Sequence, residues 1–302
     1  MPGRLDNVTQ PAPAPLILRG QRFDAARPAV MGIVNRTPDS FYAPARHVDV
    51  DSAVARAAAM VEEGVNIVDV GGVRAGQEGD WVDEATEIDR VRPVLLALRE
   101  ALPGLLTSLD TWRAEVADAC SGLVDLVNDT WQGADPDLLG VAARQGVGYV
   151  VSHTGGLPPR TDPVGIDYGP DGAVVEDVLR VLGGGAARAE AAGLPRERIL
   201  IDPTLDFGKT TLNSLALVAQ TGRVVALGYP VLQAISRKDF VGETLDLPAD
   251  ERLEGSLAAT AVAAWQGATV FRAHDVRATR RVLDMVASIR GDRPPARSDR
   301  GR

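Results

Sequence analysis

Residues 66–81 read NIVDVGGVRAGQEGDW, and the start of this stretch sets the fold. Ile67–Val70 is a short, β-branched, apolar run. Gly71 and Gly72 end it, and a polar, glycine-dotted loop follows. A strand without polar alternation is buried on both faces, as in a parallel sheet covered by helices. The loop then sits at the mouth of a buried strand, and its purpose depends on what surrounds it.

Working outward, the same unit recurs along the chain: a short apolar run, a polar loop, then an Ala-rich amphipathic segment. The runs are AVMGIV (29–34), NIVDV (66–70), LLTSL (105–109), LVDLV (123–127), GYVVS (148–152), ILID (199–202), PVLQAIS (230–236) and TVFRA (269–273). The intervening segments read as helices. Val54, Ala57, Ala58 and Val61 fall on one helical face, and Gly64 follows as a stop. Asp135 and Pro136 read as an N-cap and first-turn proline, with Gly146 as the stop. Segments 173–193, 210–227, 253–267 and 277–290 have the same character, while Pro93 implies that helix 84–101 is kinked or starts late. Eight strand–helix pairs in one domain of about 250 residues indicate an α/β, single-domain (β/α)8 TIM barrel. A doubly wound open sheet is the alternative, but it requires a glycine-rich dinucleotide turn after the first strand, and none follows AVMGIV. The expected division is a disordered extension over 1–24, the barrel over 25–290, and a disordered tail over 291–302.

Composition narrows the function. The formal net charge is −9, a poor match for general nucleic-acid binding. Cys120 is the one cysteine, which rules out an internal disulfide and suits a reducing compartment. No signal-peptide pattern or membrane-spanning run is evident, so the expectation is a cytoplasmic protein.

In such a barrel, function sits at the C-terminal ends of the strands. There the chain places Asn35, Gly71–Gly72, Asp110, Asn128, His153, Asp202, Lys238, and Arg272 with His274. A single polar residue at a strand end usually caps a helix or orders a loop. Eight strand ends converging on one mouth favour a ligand site. Arg272 and His274 share a strand face, as do Ser236 and Lys238, while Arg237 points the other way and suits a structural or solvated role. A guanidinium, an imidazole and an ammonium beside the last two strands form an anion cradle. Asp110, Asn128 and Asp202 suit the donor–acceptor edge of a flat nitrogen heterocycle such as a pterin, although Asp129 or Asp202 can equally order turns. Asn35 is a candidate oxygen donor to Mg²⁺ beside a diphosphate. Asp206-Phe207-Gly208 matches a kinase tripeptide without its companion motifs. His47, His153 and His274 lack the HxH pair of zinc hydrolase barrels, since the first run ends in VNR.

The stretches MGIVNRTPDSF (31–41), NIVDVGG (66–72), SLDT (108–111), LVNDT (126–130), ILIDPTLDFGK (199–209), YPVLQAISRKDFVG (229–242), GSLAATAVAAWQGA (255–268) and FRAHDV (271–276) occur in the order and spacing of the dihydropteroate synthase family, which the chain resembles over roughly residues 29–290. The resemblance implies a homodimeric (β/α)8 barrel. Its family reaction condenses 6-hydroxymethyl-7,8-dihydropterin diphosphate with p-aminobenzoate, with loss of diphosphate to leave a cationic pterin methylene. It further implies that Asp110, Asn128, Asp202 and Lys238 hold the pterin, that Asp110 and Lys238 are catalytic, that Arg272 and His274 hold diphosphate, and that Asn35 holds Mg²⁺. Arylamines and sulfonamide- or sulfone-type compounds are the further ligands implied.

Three stretches depart from the family pattern. Where the family's second loop runs GGESTRPG or GGESSRPG and helps to build the p-aminobenzoate pocket, this chain has GGVRAGQEG: Val73 replaces the acid, Arg74 and Ala75 the hydroxyl pair, Gly76 the arginine and Gln77 the proline. The first loop, NVTPDSFSDGG in the family, is NRTPDSFYAPA, with Arg36 and Ala43 at changed positions. DPGxGFGK becomes DPTLDFGK, with Thr204 and Asp206 in place of two glycines. Losing a positioned group from a closing loop typically costs about 10²-fold or more in rate. The expectation is a divergent homologue that keeps its pocket floor and has weak or absent synthase activity. An active synthase with an alternative lid is the second reading. A methyltetrahydrofolate-type methyltransferase is the third, and the Arg272–His274 cradle argues against it.

Overall fold

The computed structural model describes residues 13–35, 45–73, 81–161, 166–170 and 173–300, with backbone alone at 35 and 45–49. The chain opens with two short antiparallel strands, β1 (Leu16–Leu18) and β2 (Gln21–Phe23). There follow β3 (Ala29–Asn35), α1 (Ala45–Glu62), β4 (Ile67–Gly71), α2 (Glu84–Ala101), β5 (Leu106–Asp110) and α3 (Ala114–Ala119). Next come β6 (Leu126–Asp129), α4 (Leu138–Gln145), β7 (Gly148–Ser152), α5 (Ala173–Ala191) and β8 (Ile199–Asp202). The last part carries α6 (Thr211–Ala219), α7 (Thr221–Val225), β9 (Leu232–Ala234), α8 (Asp239–Leu245), α9 (Leu253–Trp265), β10 (Val270–Ala273) and α10 (Val276–Arg290).

Strands β3 to β10 form one parallel sheet in the order β8-β7-β6-β5-β4-β3-β10-β9, and a parallel bridge between Ile201 and Val231 brings its two edges together. The expected eight-stranded α/β barrel is present, and all eight predicted runs supply its strands. Side chains alternate across each strand. One set (Val30, Val68, Val70, Leu109, Val127, Val151, Ile201, Phe271) packs under the helices. The other (Met31, Ile67, Leu106, Leu126, Val150, Leu200, Leu232, Val270) fills the barrel interior. Leu16, Leu18 and Phe23 join that interior cluster, so the β1–β2 hairpin plugs the N-terminal end. This corrects the expectation of a disordered extension through residue 24: residues 16–23 are ordered because three large apolar side chains find full burial there.

Three helix readings also change. Helix α2 runs through Pro93 from an Asp83 cap, whose side chain accepts from Thr86 N at 2.8 Å. It is continuous and starts early. Asp135 does not cap α4, which begins at Leu138; its carboxylate accepts from Ala114 N at 2.8 Å and Asp137 N at 3.0 Å, tying α3 to the loop before α4. Segment 210–227 is two helices that divide at Gln220, where the capping box of α6 (Thr210 with Asn213) sets the first. Among the described residues, no helix is long and apolar enough to cross a membrane.

Candidate ligand site at the barrel mouth

Because inward positions recur every second residue, the apolar layer of the barrel dictates what lies above it. Two residues beyond Ile67, Leu106, Leu126, Leu200 and Val270 come Asp69, Ser108, Asn128, Asp202 and Arg272, and Asp110 follows two beyond Ser108. These polar groups therefore face one another across the barrel.

Arg272 joins them. Its Nε donates to Asp69 Oδ2 at 2.7 Å and its Nη2 to Asp110 Oδ2 at 3.1 Å. Asn128 Nδ2 donates to the same Asp69 oxygen at 3.1 Å, and Thr130 Oγ1 donates to Asp110 Oδ1 at 3.1 Å. Asp69 is fully buried, and its Oδ1, like the neighbouring Ser108 Oγ, has no hydrogen-bond partner among the described residues. Burial first, then the Asp69 charge, push the Asp110 carboxyl up to about 7, with Arg272 acting in the opposite direction. Burial likewise raises the Asp202 carboxyl. Burial disfavours the Arg272 charge, and the Asp69 and Asp110 carboxylates more than offset this, so its pKa is raised.

A cavity of about 300 Å³ opens beside this layer, lined by Ile33, Phe207, Ala234, Ser236, Lys238, Arg272 and His274 among others. Arg272 belongs to both the cavity wall and the carboxylate layer. A ligand edge that pairs with Asp110 Oδ2 therefore shares that carboxylate with Arg272 Nη2. His274 rests on Ser236, with backbone N and Nδ1 each 3.2 Å from its Oγ; burial, then the nearby Arg272 charge, lower the imidazole pKa. Lys238 bonds the Leu205 carbonyl, lies 4.8 Å from the centre of the Phe207 ring, and has its pKa lowered chiefly by burial.

The loop 203–209 between β8 and α6 forms one side of the cavity. Asp202 Oδ1 accepts from Thr204 N at 2.7 Å, so Asp202 orders this turn as well as closing the polar layer. Thr204 and Asp206 adopt left-handed backbone conformations, with φ of 51° and 70°. These are the positions where the family pattern carries glycine, the residue that the left-handed region favours. The Asp206 carboxylate accepts from Asp239 N at 2.7 Å and Phe240 N at 3.4 Å, and Ser214 Oγ donates to its Oδ1 at 3.1 Å. Asp206 is also one of the residues that line the cavity. Lys209 staples the loop from below, its Nζ donating to the carbonyls of His153, Thr204 and Phe207 at 2.7–2.9 Å. Burial, then Lys238, lower that amine to about 7.

Several strand-end residues prove structural. His153 is fully buried, 2.9 Å from Asp177, and its imidazole is lowered to about 4 by burial. Asp129 accepts from Trp131 N, Gly133 N and Tyr149 Oη and orders its own loop. Arg237 grips Asp275 with two nitrogens at 2.9 and 3.1 Å and the carbonyls of Ala249 and Asp250, in line with the structural role expected for it. The side chains of Asn35 and His47, and residues 36–44 and 74–80 of the two rewritten loops, lie outside the described residues. Among the described residues, no group of three His, Cys, Asp or Glu side chains is placed to hold a metal ion. The sequence reading missed Asp69 and Lys209. A carboxylate in an apolar strand, on the parity of Ile67, was the available signal for the first; Lys209 gave none, because its partners are backbone carbonyls.

Comparison with known proteins gives the same assignment. The model for the family described as "Pterin binding enzyme" matches residues 31–274. A Mycobacterium leprae protein named "Inactive dihydropteroate synthase 2" is 52% identical over 287 residues, covering 94% of this chain and 98% of that one. The protein of the same name from Mycobacterium tuberculosis strain H37Rv is 51% identical over 288 residues, covering 94% and 90%. The solved Xanthomonas albilineans dihydropteroate synthase with 4-aminobenzoic acid superposes with a TM-score of 0.80 at 35% identity, over 92% of this chain and 98% of that one. A polar layer set on alternate inward positions of eight parallel strands, matched along nearly its whole length by such relatives, places the chain in the dihydropteroate synthase family.

Proposed function

We propose that this protein binds a pterin at the barrel mouth and has weak or no dihydropteroate synthase turnover. The observation that carries this reading is the joined polar layer of Asp69, Asp110, Asn128 and Arg272 beside the cavity, in which Asp69 Oδ1 and Ser108 Oγ are buried with no hydrogen-bond partner among the described residues. Asp110, Asn128, Asp202 and Lys238 take the ring, and Arg272 and His274 face the substituent it carries. In the family chemistry Asp110 and Lys238 would be the catalytic pair.

The doubt about turnover comes from the rewritten GGVRAGQEG loop, which lacks the hydroxyl–arginine–proline set of the family pattern, and fits the printed names of the two mycobacterial relatives. Any Mg²⁺ would bind through Asn35 and the oxygens of an anionic ligand. We further propose a homodimer through α9 and α10, where Val262, Trp265, Met285 and Ile289 are exposed side by side on packed helices.

The test pairs two measurements on the purified chain: calorimetric binding of 6-hydroxymethyl-7,8-dihydropterin, and dihydropteroate formation from its diphosphate and p-aminobenzoate with Mg²⁺. Pterin binding with turnover at background supports the reading. Turnover within about tenfold of a family enzyme with the usual loop would establish a working synthase, and absence of pterin binding to folded protein would overturn the pocket assignment.

A further inference from the structure

We infer that Asp206 is a specificity-determining carboxylate that turns this cavity away from diphosphate esters and toward a pterin whose substituent carries no polyanionic group. The inference rests on the pterin reading above and concerns what else the ligand carries.

The geometry leaves Asp206 no alternative position. Its two oxygens are held by backbone N–H groups of Asp239 and Phe240 and by Ser214 Oγ, and its own N–H is 3.1 Å from that same hydroxyl oxygen. The side chain is therefore held in place, and Asp206 belongs to the same cavity lining as Ser236, Lys238, Arg272 and His274. That wall is the one where the positive groups gather and where an anionic substituent would have to lie.

The charge balance there is already spent internally. Arg272 is neutralised by Asp69 and Asp110. Arg237 is paired with Asp275, and Arg252 with Asp239. Among the charged residues that line the cavity, this leaves Lys238 and Asp206. Without Asp206 the Lys238 ammonium would meet an incoming diphosphate with no unpaired carboxylate of the lining set against it; with it, Lys238 has a counter-charge before any ligand arrives. His274 adds little, because burial and Arg272 both disfavour its charged form. A fixed like charge a few ångströms from a ligand phosphate weakens binding on the order of tenfold or more. A neutral or singly charged substituent is hardly affected, and the donors on Ser236 and Lys238 suit a hydroxyl or carboxylate oxygen.

The experiment compares 6-hydroxymethyl-7,8-dihydropterin with its diphosphate ester as calorimetric ligands for the native chain, Asp206→Asn and Asp206→Gly. Asparagine keeps an acceptor for Asp239 N and a donor for Ser214, so it removes charge without removing the cap. Glycine removes the side chain at a position whose backbone suits it. The native chain is expected to bind the alcohol at least as tightly as the ester. Both variants should tighten the ester about tenfold while leaving the alcohol within about twofold. A native preference of tenfold or more for the ester would overturn the inference, as would equal shifts for both ligands in the variants. Failure of the folded native chain to bind either ligand would instead remove the pterin reading on which the inference rests.

Discussion

Replacing Arg272 with alanine tests the polar layer most directly. The guanidinium holds Asp69 at 2.7 Å and Asp110 at 3.1 Å; the Asp69 side chain is fully buried and the Arg272 and Asp110 side chains are 21% and 26% exposed. Breaking a buried ion pair by removing one partner costs roughly 3–5 kcal/mol, and the partly open mouth puts this case near the lower end, about 3 kcal/mol. The loss depends on pH. Asp110 has a folded pKa of about 7, above its unfolded value of 3.8, so it favours the fold at low pH and that contribution is lost as pH rises through about 7. Arg272 is the largest influence holding this carboxyl down, and its removal moves the transition higher still. Each further unit costs about 1.4 kcal/mol once the pH exceeds the shifted value. Near pH 5 Asp110 is protonated in both proteins, and the deficit reflects Asp69 alone, about 1–2 kcal/mol. Near pH 8.5 the deficit should reach about 3–4 kcal/mol. Urea unfolding of both proteins at the two pH values reads this difference. Equal deficits at both, or a deficit below about 1 kcal/mol at the higher pH, would refute the coupled layer. The result also qualifies Arg272→Ala as a probe of anion binding: the substitution disturbs the fold of the site as well as its charge.

Other substitutions address the β8–α6 loop and the rewritten lid. Lys209→Met leaves the carbonyls of His153, Thr204 and Phe207 without their shared donor, and should lower stability by about 2–4 kcal/mol in denaturant unfolding; a change under about 1 kcal/mol would show that water replaces the ammonium. Gly208→Ala places a Cβ 2.4 Å from the Thr154 carbonyl oxygen at a φ of 63°, and should cost about 2–4 kcal/mol or shift the loop enough to abolish pterin binding. Grafting ESSRPG over VRAGQE (73–78) should raise dihydropteroate formation about 10²-fold if the lid is the defect. A folded graft that binds pterin and gains nothing would move the defect to the β8–α6 loop.

The barrel was legible because each strand is a short apolar run with a polar terminus, a pattern set by burial on both faces and by function at one end. The inward placement of Asp110, Asn128 and Asp202 at the strand ends was legible for the same reason. The β1–β2 hairpin was not. Its strands are three residues each beside a proline-rich segment, and what orders them is a barrel end that exists only after folding. Pro93 failed as a signal because the rest of α2 packs Val91, Val94, Leu95 and Leu98 against the barrel, and that burial outweighs one lost backbone bond. Asp69 was read as part of an apolar run, although its parity with Ile67 already pointed it into the barrel. The anchoring of the Asp206 side chain was beyond sequence reasoning, since it accepts from a backbone N–H at the start of α8, 33 residues away.

That partner bears on how the loop came to differ from the family pattern. A non-glycine residue in the left-handed region costs roughly 1–2 kcal/mol, most for a β-branched side chain, and Thr204 and Asp206 both sit there. The backbone path itself favours glycine at both positions, and Gly208 against Thr154 with Lys209 on three carbonyls anchors the loop beside them. Yet both new side chains are fully engaged. Thr204 Oγ1 accepts from His153 N at 3.2 Å and donates to Asp202 O at 3.0 Å, and Asp206 takes two backbone N–H groups at the start of α8. Such bonds return about 1 kcal/mol each, and more for a carboxylate acceptor, which offsets the strain. A loop drifting without constraint would more readily have kept glycine or exposed its new side chains to water. Here the strain is matched by hydrogen bonds that fix a carboxylate on a residue of the cavity lining, which fits the specificity inferred above better than a loop left to decay.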